Sequence, residues 1–78
     1  SRNFHAVAGI GNPAKFYKTL INLGLSPIQH SFPDHYQFKE EDLNFGDSLP
    51  IIMTEKDAAR CLDMDNKNLF HRNLIRLQ

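Results

Sequence analysis

At 78 residues, with 41% apolar and 23% charged content, the chain can build one small globular domain, and domains near this size bury only about 60% of their unfolded surface, so contacts with a partner are expected to matter. Its 9 Lys and Arg balance its 9 Asp and Glu, which excludes the basic field that gathers nucleic acid or anionic lipid. A single cysteine, Cys61, excludes an internal disulfide and fits a reducing compartment, the cytoplasm by default; no apolar stretch approaches the roughly 20 residues of a membrane span, and the opening Ser1-Arg2-Asn3 carries no signal-peptide pattern, so the expectation is a domain excised from a longer chain.

Phe4 to Ile10 is a short, mostly apolar run ending in a glycine cluster, the pattern of a buried strand. Asn12 then stands as N-cap and Pro13 as the first helical residue, where the missing N–H of proline costs nothing. In the helix that follows, Phe16, Leu20 and Leu23 recur at i, i+4 and i+7, Tyr17 and Ile21 widen the stripe, and Gly24 sits where a left-handed cap ends the helix. Leu25 to Phe32 reads as a second strand, Lys39 to Leu43 as a short charged helical turn, and Leu49 to Met53 as a third strand. Thr54 begins the next helix, with Ala58, Ala59, Cys61 and Leu62 on its inner side. Leu69, Phe70, Leu74, Ile75 and Leu77 suit a fourth strand or a terminal helix; the strand is favoured, led in by the polar segment from Asp63 to Asn68. This order implies an α/β fold, a small, mainly parallel sheet of about four strands flanked by helices, a Rossmann-like three-layer half domain, because right-handed crossovers are the usual connection.

Three polar motifs directly follow the strand-like runs: Gly9-Ile10-Gly11-Asn12-Pro13, Phe32-Pro33-Asp34-His35-Tyr36 and Thr54-Glu55-Lys56-Asp57. In a parallel sheet they share the edge at the carboxyl ends of the strands, where ligand crevices form. The first, Gly9-x-Gly11-x-x-Ala14, is a loose dinucleotide fingerprint, but Pro27-Ile28-Gln29-His30-Ser31 stands where the ribose-binding acid belongs. A structural turn, a phosphate cradle and backbone contact with a substrate or another domain all remain open for it. In the second motif an imidazole beside a carboxylate can relay a proton, whereas the plainer reading is a loop histidine next to a turn-capping Asp34. A metal held by His30, Asp34 and His35 is conceivable but lacks an i, i+4 pair or any cysteine pair. His5 and His71 fall inside strand-like runs and read as packing or surface residues. In the third motif Thr54 and Asp57 occupy N-cap and N3, close to a capping box, and are assigned as structural caps. Lys56 is disfavoured by the helix dipole and is open to a phosphate or carboxylate elsewhere. Phe4, Phe16, Phe32, Phe38 and Phe45 lie at core-like positions.

Taken together, Ala6-Val7-Ala8-Gly9-Ile10-Gly11-Asn12-Pro13 with Phe16, Phe32-Pro33-Asp34-His35-Tyr36-x-Phe38, Glu41-Asp42-Leu43 and Met53-Thr54-Glu55-Lys56-Asp57-Ala58 resemble, in order and over nearly the whole chain, the C-terminal domain of the tetraacyldisaccharide 4'-kinase (lipid A 4'-kinase) family. The resemblance implies a membrane-associated P-loop kinase of Gram-negative bacteria, working at the cytoplasmic side of the inner membrane, that uses ATP and magnesium to phosphorylate the 4'-hydroxyl of a lipid A disaccharide precursor. It further implies that ATP and Mg2+ are bound by a larger N-terminal P-loop domain, absent here and hinged to this one. His35 resembles the family histidine that faces that domain and assists an aspartate there. Gly9, Gly11, Asn12, Asp34 and Lys56 become cleft-lining candidates, with no defined chemical role carried over to Gly9, Asn12 or Lys56 and no metal site in this chain. A domain of this kind is expected to be inert alone; a free-standing nucleotide-binding module and a non-catalytic docking domain are the alternatives.

Overall fold

The inner places in the sheet fall to the two strands that are buried over most of their length. The computed structural model describes residues 3–61 and 74–77. In it β1 (Asn3–Ala8) lies between β2 (Ser26–Ser31) and β3 (Ile51–Thr54), with β4 (Leu74–Leu77) outside β3, giving the order β2-β1-β3-β4 with every pairing parallel. Parallel strands need crossovers, and these are α1 (Pro13–Asn22) between β1 and β2 and α2 (Glu55–Ala59) after β3. A 3-10 turn (Glu40–Leu43) lies between β2 and β3. Because the chain winds outward from β1 in both directions, the gap between the carboxyl ends of β1 and β3 is the switch point of the sheet.

The period-2 alternation of β1 divides the core. Phe4, Ala6 and Ala8, with Ile52, face α1 and pack on Phe16, Tyr17 and Leu20; the two alanines leave room for the aromatic rings. Val7, Ile51 and Met53 face the other way, onto Phe38, Leu43 and Cys61, with Ala58 at the margin. The two faces are thus covered separately, as the three-layer expectation requires. Phe4, Phe16 and Phe38 are buried, whereas Phe32 and Phe45 are only half-buried.

The local signals at α1 act as anticipated. The Asn12 side chain accepts from Lys15 N at 3.3 Å, and Pro13 opens the helix. At the other end Gly24 takes φ +83°, its N–H reaching Ile21 O while Leu25 N reaches Leu20 O, the paired bonds of a Schellman stop.

Several boundaries and faces differ from the sequence reading. β1 ends at Ala8 rather than Ile10 because the Gly9 N–H leaves the ladder for a side chain. β2 excludes Leu25 and Phe32, and β3 starts at Ile51 because Pro50 has no N–H to donate and contributes only its carbonyl, to His5 N. Leu23 is 63% exposed and Ile21 is exposed too: α1 lies over β1 and β2, so only the Phe16-Tyr17-Leu20 stripe meets the sheet. On α2, Ala59 is exposed and Asp57 is turned inward instead. The strand reading of the last segment holds for Leu74–Leu77; Leu62, the segment from Asp63 to Asn68, Leu69, Phe70 and His71 lie outside the described residues.

Candidate active site

The loops after β1, β2 and β3 meet at one point, and a buried carboxylate joins the first of them to the third. Asp57 is fully enclosed, at 0% exposure. Its own N–H donates to Thr54 Oγ1 at 3.2 Å, so Thr54 caps α2, but the Asp57 side chain does not return to the cap as a capping box would. It crosses to the β1 loop, where Oδ2 accepts the Gly9 N–H at 2.9 Å, and Oδ1 accepts from Arg60 Nη1 at 3.0 Å. The assignment of Asp57 as a helix cap therefore gives way to a tertiary clamp between the first and third motifs. Thr54→Ala removes one acceptor from the start of α2 and is expected to cost about 0.5–2 kcal/mol, read from denaturant unfolding.

Arg60 joins the second motif to the other two. Nη1 also donates to Gly9 O at 3.1 Å, and Nη2 lies 2.9 Å from His35 Nδ1. The His35 N–H donates to that same Gly9 carbonyl at 3.1 Å. His35 has φ +62°, a left-handed backbone in the tight turn closed by Tyr36 N to Pro33 O at 3.0 Å. Such a conformation costs an L-residue roughly 1–2 kcal/mol, and the bonds to Gly9 O and Arg60 hold it in place. The outcome is a ring that stands out at the edge, its side chain 76% exposed, with Nε2 3.6 Å from Asp34 Oδ2.

Gly9 is a spatial requirement here, whereas Gly11 has room for a Cβ at ordinary contact distance. A Cβ on Gly9 would stand 3.1 Å from Phe38 Cζ, 3.3 Å from Pro33 O and 3.4 Å from Asp57 Oδ1; on Gly11 it would meet Asp34 Oδ2 at 3.4 Å. Gly11 and Asp34 therefore sit side by side and exposed on the outer lip. Asn12, exposed, spends its side-chain oxygen on α1, and Lys56 is exposed on α2. Arg60 was not singled out from sequence, although Asp57 and Arg60 at i, i+3 are spaced to meet on a helix. Cys61 beneath the site is inert: burial first, then the Asp57 charge, pushes its thiol up to about 11.

A second polar cluster lies on the sheet face away from α1. His5 is buried, its Nε2 at 2.8 and 3.0 Å from the two Asp47 oxygens and its Nδ1 2.8 Å from His30 Nε2; Phe45 stacks over both rings at 4.0 and 4.2 Å. A carboxylate only accepts, so His5 donates from Nε2 to Asp47, while its Nδ1 shares one proton with His30 Nε2. His30 is thereby committed to His5 while His35 is committed to Arg60, and the metal set of His30, Asp34 and His35 is not assembled.

Acid should loosen this cluster. Burial, then the neighbouring His5, holds the His30 pKa below its ordinary 6.5, so its contribution is complete above that value and fades as pH falls through the lower folded value. The hydrogen bond from His5, aided by the Leu49 N–H and the two histidines, holds Asp47 below the usual carboxylate range against some desolvation; its contribution is lost only at still lower pH. Melting temperature is expected to fall between about pH 7 and pH 5, and His30→Gln to flatten that slope. An unchanged slope in the variant would assign the acid sensitivity elsewhere.

The family described as tetraacyldisaccharide-1-P 4'-kinase matches residues 1–78. Among curated relatives, the tetraacyldisaccharide 4'-kinase of Hahella chejuensis is 49% identical over 67 residues, covering 86% of this chain and 20% of the relative. That of Coxiella burnetii is 54% identical over 66 residues, covering 85% and 20%, and that of Alkalilimnicola ehrlichii 58% identical over 57 residues, covering 73% and 17%. The chain thus spans about a fifth of the length of the relatives it matches. No solved structure matches it.

Proposed function

The chain belongs to the tetraacyldisaccharide-1-P 4'-kinase family, and from that premise we propose that the full-length protein transfers the γ-phosphate of ATP to the 4'-hydroxyl of a tetraacyldisaccharide 1-phosphate, with this domain forming one wall of an active site between two domains. The observation that carries the proposal is the junction of Gly9, His35, Asp57 and Arg60, which rigidly presents one exposed imidazole at the switch-point edge.

Among the described residues, the first motif is a poor cradle for the phosphates of ATP. A phosphate at the first motif would need the Gly9 N–H, which is given to Asp57, and it would meet that carboxylate's charge. Among the described residues no group of three or more His, Cys, Asp or Glu is arranged to hold a metal. The engagement of Gly9 N–H by Asp57 supports the kinase-half reading over a self-sufficient nucleotide module; in the proposed scheme ATP and Mg2+ are held by an N-terminal P-loop domain, where they would supply the phosphoryl group and neutralise its charge. Phosphoryl transfer depends on positioning and charge, so a second domain can complete the site by closing over the first. In this scheme His35 faces the nucleotide domain and assists an aspartate there in activating the acceptor hydroxyl. Work at the cytoplasmic side of the inner membrane belongs to the same proposal; no described helix of this chain is long and apolar enough to cross a membrane.

The test is direct. The full-length protein should label a tetraacyldisaccharide 1-phosphate from γ-labelled ATP, and the 78-residue chain alone should not. Mg-ATP should also leave the amide shifts of Gly9 to Ala14 in the short chain unmoved. Saturable shifts at micromolar nucleotide would overturn the division of labour and favour a nucleotide module.

A further inference from the structure

Arg60 decides which face of the His35 ring carries the proton. A guanidinium has donors and no acceptor, so the ring nitrogen 2.9 Å from Arg60 Nη2 must be the bare one. Nδ1 accepts, and the single proton of the neutral ring sits on Nε2. The opposite tautomer would set an N–H on Nδ1 head-on against the N–H of Arg60.

Arg60 is itself unable to turn aside. Its Nη1 is held by Asp57 Oδ1 and by Gly9 O, the Asp57 carboxylate is buried and fixed in turn by Gly9 N, and a planar fork held at one nitrogen leaves the other aimed in one direction. The ring is held from the main chain as well, through the His35 N–H on Gly9 O. On its outer side, Asp34 Oδ2 stands 3.6 Å from Nε2, beyond hydrogen-bond reach, so the outward N–H is left for an acceptor that comes from outside this chain.

We propose that Arg60 is a positioning residue for phosphoryl transfer, locking His35 as the Nε2–H tautomer so that the ring donates to a carboxylate of the facing domain. This rests on the interdomain kinase reading above. The step then balances: the carboxylate, oriented by the Nε2–H, takes the proton of the acceptor hydroxyl as its oxygen bonds to the γ-phosphorus, the bond from that phosphorus to the β,γ-bridging oxygen breaks, ADP leaves with the electron pair, and the imidazole keeps its own proton throughout. A ring serving as the base itself would need Nε2 bare, the tautomer that Arg60 opposes.

The lock can be read without activity, by long-range 1H–15N correlation of the imidazoles in full-length protein labelled with 15N-histidine, at a pH where the ring is neutral and with His35→Gln for assignment. The wild type should give a pyridine-like Nδ1 and a pyrrole-like Nε2 for His35. Arg60→Lys keeps one cationic nitrogen for Asp57 and Gly9 but loses the second nitrogen that reaches the ring. It should melt like the wild type, show averaged tautomer shifts, and lose kcat by roughly 10-fold, short of the loss expected from removing the ring, with KM for both substrates unchanged. An Nδ1–H tautomer in the wild type, or an Arg60→Lys protein that keeps the wild-type ring shifts and kcat, overturns the proposal. Were Arg60→Lys not to fold, the wild-type ring shifts alone would decide. Ring shifts that respond as expected in a protein without phosphoryl transfer would refute the kinase reading and leave the tautomer lock standing.

Discussion

Replacing Asp57 by alanine is expected to lower the unfolding free energy by about 3 kcal/mol, more than any other single change at the edge. The carboxylate is wholly enclosed and ties the loop after β1 to Arg60 at the end of α2. Without it the buried Gly9 N–H has no acceptor, a loss of roughly 1–3 kcal/mol by itself. Arg60 loses its ionic partner but keeps 21% of its side chain in solvent, so its charge is partly rehydrated and the total should stay near the low end of the range for breaking a buried pair. A domain of this size has on the order of 5 kcal/mol to lose. Asp57→Ala should therefore leave the chain only marginally folded. Urea unfolding measures the loss, with the exposed Glu55→Ala on the same helix as a control expected to change stability by only a few tenths of a kcal/mol. A drop below about 1 kcal/mol for Asp57→Ala would mean that Gly9 and Arg60 find other partners.

What the sequence reveals here is what repeats locally. The apolar alternation of Phe4 to Ala8, the Asn12-Pro13 start of α1 and its Gly24 stop are each written within a few residues, and the structure uses each accordingly. The clamp was not legible in the same way. Asp57 at N3 of a helix has a sufficient local explanation, whereas its real partner, Gly9, is 48 residues distant and no periodicity links the two. Arg60 carried a signal in its i, i+3 spacing from Asp57, but spacing alone does not say that the pair is buried or that the guanidinium extends to His35. The His5–His30–Asp47 cluster depends on register: β1 pairs His5 with Ile28 and Val7 with His30, which sets the two histidines diagonally on one face. Ile21 and Leu23 failed as core positions for a related reason, since the width of sheet beneath α1 is a property of strand order and not of the helix itself.

The clearest test of a shared active site is the turnover of His35→Ala in the full-length protein, at saturating ATP and lipid, beside its melting curve. The ring is largely solvent-exposed and contributes nothing to either core cluster. Alanine inherits the same left-handed backbone at a similar cost, so the fold should survive with its clamp of Gly9, Asp57 and Arg60 in place. What goes, in the proposed scheme, is the Nε2 donor that would orient the carboxylate of the facing domain. Loss of an assisted proton transfer typically slows the chemical step by about 10²- to 10⁴-fold. Because the proposed role of the ring is to orient the carboxylate and not to bind substrate, KM for ATP and for lipid should stay close to the wild type. A fall of kcat of that size with unchanged melting is the predicted result. Near wild-type kcat in a stably folded His35→Ala protein would contradict it, reducing the edge to a set of turns and caps and leaving the domain a docking module.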